Sequence, residues 1–198
     1  MQNQIGDDQT QRENATESIC REDTTENLKY EVSLKALDST DVGLILSWRN
    51  DHRIWQWCRQ NDLISDAEQL AWFEKQSKDN TIKMYKTTVK TKDKYVAVGV
   101  CGFTSIDMTN RRAEFSLYIS PNFQGNSFGK KALNCLLTHG FKNLGFNTIW
   151  GEVFDGNPAI NMFYALGFKH EGTRREFYFR DGKFINAELI SIKASEWN

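Results

Sequence analysis

The stretch that most constrains this chain runs from Arg112 to about Leu144. Residues 112–119 alternate, so an extended strand places Glu114, Ser116 and Tyr118 on one face and Phe115, Leu117 and Ile119 on the other. Pro121 follows, then the turn Gln124-Gly125-Asn126-Ser127-Phe128-Gly129-Lys130. Beyond it Phe128, Ala132, Leu136 and Phe141 predict a helix over about 127–144. A strand, a glycine-containing turn and a long helix, in that order, make an anion site. The first helical turn leaves backbone N–H groups unpaired at the positive end of the helix dipole, and glycine lets the backbone approach a ligand closely. A pyrophosphate fits there, held by the amides of about Asn126–Lys130, with the Gln124 side chain closing one side. A glycine connection with no ligand is the other reading of the same residues. The turn is not the phosphate loop of nucleotide hydrolases. Its glycines are one residue too close, and Lys131 stands where a Ser or Thr should hold magnesium.

Mixed α/β patterning surrounds this unit. Tyr30–Ala36 alternates as a strand, and Asp38-Ser39-Thr40 offers caps for a helix carrying Val42, Leu44, Ile45 and Trp48. Ser65-Asp66-Ala67-Glu68 is a capping box opening a second helix to about Gln76. Met84–Lys90 and Tyr95–Ile106 read as strands joined by a charged turn, and Thr148–Phe154 as another. Asn157-Pro158 pairs an N-cap with proline at the first helical position, opening a short helix to about Leu166. Phe168–Ile192 reads as strands around an Arg180-Asp181-Gly182-Lys183 hairpin turn.

Charge narrows the ligand class. Residues 1–28 hold seven of the 26 acidic residues and two of the 25 basic ones, so the remainder carries a net charge of +4. That suits an anionic small ligand and is too weak for nucleic acid. The 1–28 segment has almost no large apolar residue and is expected to be a disordered acidic tail before a single domain at 29–198, or else a partner-docking arm. Cys20, Cys58, Cys101 and Cys135 form no C-x-x-C pair, so neither a metal site nor a disulfide framework has sequence support, and a reducing cytoplasm is expected. No apolar run predicts a membrane span.

In this context the turn resembles the Gln/Arg-x-x-Gly-x-Gly/Ala signature of the GCN5-related N-acetyltransferases (GNAT), which follows the family's central strand and opens the next helix. Glu114–Pro121 is similar to that strand, and Asn157–Phe168 resembles the second signature, with an Asn start, an aromatic within and Gly-Phe at the end. The resemblance covers about residues 30–196. Glu171-Gly172 with the 180–183 turn resembles the ribosomal-protein alanine N-acetyltransferases, and Trp48-Arg49-Asn50 with Ser65–Glu74 those acting on nucleotide-linked amino sugars. Two departures stand out: Ser127 replaces the first signature's middle glycine, and the second signature is one residue short. Counting from Gly167 puts the family's tyrosine position on Phe163, and counting from Asn157 puts it on Tyr164.

The resemblance implies an α/β fold with a mixed, mostly antiparallel twisted sheet of about six or seven strands. About four helices flank it, and the central strands splay apart. It implies acetyl-CoA as co-substrate, no metal, and direct attack by an amine without a covalent enzyme intermediate. The backbones of Leu117, Tyr118 and Ile119 are expected to bind the pantetheine arm and the oxyanion, and Gln124, Gly125, Asn126, Ser127, Phe128, Gly129, Lys130 and Asn157 the rest of the cofactor. Glu114 is the candidate base, or else a strand carboxylate pairing with Arg111 or Arg112. Tyr164 is the candidate acid for the thiolate, or else a packing tyrosine. Arg49, Asn50 and Trp55 are candidates for the acceptor site, with helix C-capping as the alternative for the first two. The acceptor is expected to be a protein N-terminus or a small amine such as an amino sugar, and the protein a monomer or homodimer. A non-catalytic acyl-CoA-binding module of the same fold is the alternative.

Overall fold

A computed structural model describes residues 30–60, 62–92 and 94–197. The expected acidic tail at 1–28 lies outside the described residues. Seven strands form one sheet: β1 (Val32–Ala36), β2 (Lys83–Lys90), β3 (Tyr95–Asp107), β4 (Arg112–Ile119), β5 (Thr148–Phe154), β6 (Lys169–Arg180) and β7 (Lys183–Lys193), in the order β1-β2-β3-β4-β5-β7-β6. Every neighbouring pair is antiparallel except β4 and β5. Five α-helices are described: α1 (Val42–Arg49), α2 (His52–Trp55), α3 (Asp66–Lys78), α4 (Phe128–Thr138) and α5 (Ile160–Ala165).

Local chemistry accounts for most boundaries. Ser65 and Glu68 exchange the reciprocal bonds of a capping box at the start of α3. The hairpin between β6 and β7 turns on Asp181 and Gly182, at φ 47° and 77°, the left-handed pair that a tight primed turn needs. The helix expected over 127–144 runs as α4 to Thr138 and then widens into a π-helical turn over His139–Asn143. Asn157 caps differently from expectation. Its Oδ1 accepts from the Ala159 N–H at 2.9 Å, but α5 itself begins only at Ile160.

Two apolar layers sandwich the sheet. On one face Phe115, Ile119, Ile149 and Val153 pack under α4 and α5 with Phe128, Leu136, Phe163 and Phe168. On the other, α1 and α2 lay Ile45, Trp48 and Ile54 on Met84 and Val100, with Trp72 of α3 and Tyr118 at the margin. Cys58 and Cys101 are free thiols. Cys135, whose sequence context supported no disulfide, is disulfide-bonded.

Pairing of β4 with β5 is short. Only Arg112–Glu114 meet Thr148–Trp150; beyond them the strands part. Gly151 stands at the point of divergence, where an added Cβ would lie 2.3 Å from the Phe115 ring. That ring is wedged against Phe163 and Phe168, with centroids 5.1 and 5.0 Å away, and has no room to retreat. Gly151→Ala should therefore destabilise the fold by about 1–3 kcal/mol, the usual cost of overpacking. The denaturant midpoint should fall; an unchanged midpoint would show that the aromatic wedge gives way.

Candidate active site

The opening between β4 and β5 exposes backbone groups of the central strand. Ser120 donates its N–H toward β3, to the Val98 carbonyl at 2.8 Å, whereas the Arg111 carbonyl accepts from Asn147 and Thr148 on the β5 side. Backbone groups alternate along an extended strand. Leu117 and Ile119 therefore direct theirs into the gap, and Tyr118 directs its own toward β3. Of the three backbones expected to bind the cofactor, Tyr118 is the one turned away. Its ring packs edge-on to Trp48 at 6.4 Å, and burial raises its phenol above the ordinary range.

The turn after β4 is a cradle of free amides. Gly125 at φ 79° and Ser127 at φ 59° take left-handed conformations that fold the chain into α4. Ser127 thus supplies the turn geometry that glycine usually provides. Among the described residues, the N–H groups of Asn126, Ser127, Phe128, Gly129 and Lys130 have no acceptor within the protein. The first intrahelical bond is Lys131 N–H to the Ser127 carbonyl, 3.1 Å. Five unpaired amides at the exposed end of an 11-residue helix fit a pyrophosphate. Gln124, expected beside that anion, is held at the start of the turn. Its Nε2 donates to the Ile119 carbonyl at 3.0 Å and ties the turn to the strand end. The Asn126 side chain likewise braces the turn, donating to the Phe123 and Gln124 carbonyls at 3.3 and 3.1 Å.

Glu114 lies on the opposite face of the sheet, buried, and pairs with neither Arg111 nor Arg112. One oxygen contacts Arg59 Nη2, and the other accepts the Thr104 and Ser105 hydroxyls at 3.2 Å each. Arg59 Nη2 also reaches Glu152 on β5 at 3.0 Å, while Arg174 Nη1 approaches that carboxylate from β6 at 3.1 Å. Tyr178 donates its hydroxyl to Glu152 at 2.7 Å and accepts from Arg59 Nε at 3.1 Å. The carboxylates form the floor, with side chains 6% and 1% exposed, and the guanidiniums form the roof, 49% and 40% exposed. Burial works against the Arg59 charge, but hydrogen bonding and attraction from Glu114, with Tyr178 and Glu152 adding, keep its pKa above the usual arginine value. Arg59, Glu152, Arg174 and Tyr178 were not singled out from the sequence. Alternation on β5 carried a signal for one of them, since Thr148, Trp150 and Glu152 share the face opposite Ile149 and Val153.

The expected acceptor residues mostly hold the scaffold. Asn50 clasps the 60–64 loop, donating to the Ile64 carbonyl at 2.7 Å and accepting from the Ile64 N–H at 2.9 Å. Arg49 bridges α1 to α3 through Gln69 at 3.4 Å and lies over the Trp72 ring. Trp55 is half-buried, edge-on to His52 at 4.9 Å. The two counts of the second signature fall on side chains with different surroundings. Phe163 is buried in the aromatic wedge, and Tyr164 is 39% exposed with its hydroxyl donating to Glu188. That hydrogen bond, with a little burial, pushes the Tyr164 phenol up to about 12. Among the described residues, no group of three or more His, Cys, Asp or Glu could hold a metal ion, and no helix is long and apolar enough to cross a membrane.

A family model, the acetyltransferase (GNAT) domain, matches residues 31–169. The chain belongs to this family. It is an acetyl-CoA-dependent N-acetyltransferase, and its seven-stranded mixed sheet is the GNAT fold. Spermidine N(1)-acetyltransferase of Vibrio cholerae serotype O1 is 25% identical over 171 residues, covering 86% of this chain and 97% of that one. The crystal structure of a V. cholerae spermidine N-acetyltransferase in complex with CoA and spermine superposes with a TM-score of 0.77 at 25% identity, over 83% of this chain and 96% of that one. A ribosomal protein bS18-alanine N-acetyltransferase of Haemophilus ducreyi is 26% identical over 102 residues, 50% of this chain and 67% of that one.

The cradle yields a direct test. A Cβ at Gly129 would make only ordinary contacts, 3.5 Å from Ile119 and 3.6 Å from Met162. A carboxylate in the first turn also suits the helix dipole. Gly129→Asp should therefore fold with wild-type thermal stability to within about 1 kcal/mol yet lose CoA binding at least tenfold by calorimetry. Unchanged affinity would remove the cradle from the cofactor site.

Proposed function

We propose that this enzyme acetylates a primary amine of a small polycationic acceptor of the polyamine type. The observation that carries this reading is the balanced charge of the Glu114–Glu152 cluster on the acceptor face. An anionic acceptor would have to draw an arginine off a buried carboxylate, and an uncompensated buried charge costs several kcal/mol. An ammonium that replaces an arginine leaves the buried charge unchanged. Spermidine as the acceptor of a relative that spans nearly the whole chain supports the same choice. The expected alternatives, a protein N-terminus and a nucleotide-linked amino sugar, give way to it.

In this reading the amides of Asn126–Lys130 hold the pyrophosphate, and the Leu117 and Ile119 N–H groups hold the pantetheine arm and meet the developing oxyanion. Asn157, whose side chain is engaged with the Ala159 amide, borders the cofactor through its backbone. Arg49, Asn50 and Trp55 shape the wall around the acceptor rather than contact its charge. Glu114 stands three residues before Leu117, about 10 Å along the strand at roughly 3.3 Å per residue. Its carboxylate is saturated by Arg59 and two hydroxyls, so it anchors a distal ammonium instead of taking a proton from the reacting one. The neutral amine attacks the thioester carbonyl, the C–S bond breaks, Tyr164, oriented by Glu188, gives its proton to the leaving sulfur, and the surplus proton on the new amide nitrogen passes through water to restore the phenol.

Release of free CoA thiol from acetyl-CoA should be fast with spermidine or spermine and slow with an alanyl peptide or a nucleotide amino sugar, and the KM for the polyamine should rise with ionic strength. Preference for the peptide or the sugar would overturn the acceptor assignment. No turnover with any amine, alongside tight CoA binding, would leave a binding module. Tyr164→Phe should lower kcat about 100-fold, the scale of one lost acid catalyst, with the KM for acetyl-CoA unchanged. Equal kcat would return Tyr164 to a packing role.

A further inference from the structure

The position of Arg59 is overdetermined. It sits on the loop after α2, and that loop is fixed without it. Asn50 clasps the loop at Ile64. Arg180, from the end of β6, donates Nη2 to the carbonyls on either side of Arg59, Cys58 O at 2.5 Å and Gln60 O at 3.0 Å. The Arg59 side chain is therefore not needed to hold the loop on the sheet. It extends across the mouth of the site, where a single nitrogen touches carboxylates from two strands that otherwise part company.

The two carboxylates depend on it unequally. Glu152 keeps Arg174 and Tyr178 when Arg59 is removed. Glu114 keeps only the Thr104 and Ser105 hydroxyls and has no second cation. Withdrawing Arg59 thus opens a slot for one positive charge. The slot also has unused capacity. Glu152 Oε1, on a side chain 1% exposed, makes no hydrogen bond, because Arg174 Nη1 lies 3.1 Å away without aiming its N–H at the oxygen. A compact ammonium, whose three N–H donors can orient freely, meets that need better than a second planar fork.

We propose that Arg59 is an internal counter-cation that closes the acceptor subsite, so that a polyamine ammonium enters the Glu114–Glu152 slot only by displacing it. This rests on the polyamine reading above. Because Arg59 is delivered intramolecularly, it competes at an effective concentration on the order of millimolar. It thereby raises the KM for cationic acceptors and selects those with a second ammonium, which recover the lost contact. Arg59 is a specificity-determining residue in this scheme and takes no part in acetyl transfer.

The test is calorimetric titration of spermine into the CoA-saturated, full-length chain, which needs no turnover, beside steady-state kinetics with spermidine. Arg59→Ala should bind spermine at least tenfold more tightly than wild type and lower the KM for spermidine by a similar factor with little change in kcat. Arg59→Lys keeps a charge on the loop, on a side chain one atom shorter, and should fall between the two. It decides the matter alone if the alanine variant does not fold. Equal or weaker spermine binding in both folded variants overturns the proposal. If wild type acetylates spermidine and the variants show no gain, the polyamine reading stands and the displacement fails. If the variants bind spermine more tightly but no form acetylates a polyamine, the displacement stands and the acceptor assignment fails.

Discussion

Strands β4 and β5 share only three residue pairs, Arg112–Glu114 with Thr148–Trp150, and the gap beyond them creates the site. Edge strands of a sheet normally conceal or satisfy their backbone groups. Here two central strands leave theirs open, and the surrounding packing compensates. Phe115, Phe163 and Phe168 fill the space below the divergence, and Gly151 gives the Phe115 ring its room. Above the gap, on the other face, the compensation is electrostatic. Arg59 and Tyr178 join Glu114 on β4 to Glu152 on β5 where no backbone bond does.

Each end of the gap has its own chemistry. At the end of β4, unpaired amides at the start of α4 offer a static positive field that suits phosphate and costs nothing to arrange at the moment of binding. On the acceptor face the carboxylates are buried and already matched by cations. The two halves therefore suit ligands of opposite charge, as the proposed function requires. In the proposed reading an anionic donor and a cationic acceptor approach the gap from separate directions, with the thioester between them at Leu117 and Ile119.

Much of this was readable in the sequence, and the part that was not follows a pattern. Elements defined by local rules were legible: the 112–119 alternation, the Ser65 capping box, the hairpin at 180–183, and the glycine turn feeding α4. The proposed cofactor half of the site is backbone over one continuous segment, the kind of arrangement a sequence reading can reach. The acceptor half joins Arg59, Glu114, Glu152, Arg174 and Tyr178 across 119 residues of sequence, and no short-range periodicity reports such pairing. Trp48-Arg49-Asn50 stands at a helix end, yet Asn50 braces the loop at Ile64 and Arg49 ties α1 to α3. The side chain that reaches the Glu114–Glu152 cluster is Arg59, nine residues on from Asn50. Gln124 shows the same limit within a motif, since its side chain serves the strand end at Ile119.

The decisive structure is that of the enzyme crystallised with CoA and spermine. An ammonium of spermine should lie within ion-pair distance of Glu114 or Glu152, with the Arg59 guanidinium swung away from both and the CoA pyrophosphate on the amides of Asn126–Lys130. Spermine bound elsewhere, with Arg59 still bridging the two carboxylates, would contradict the charge-exchange account of this site.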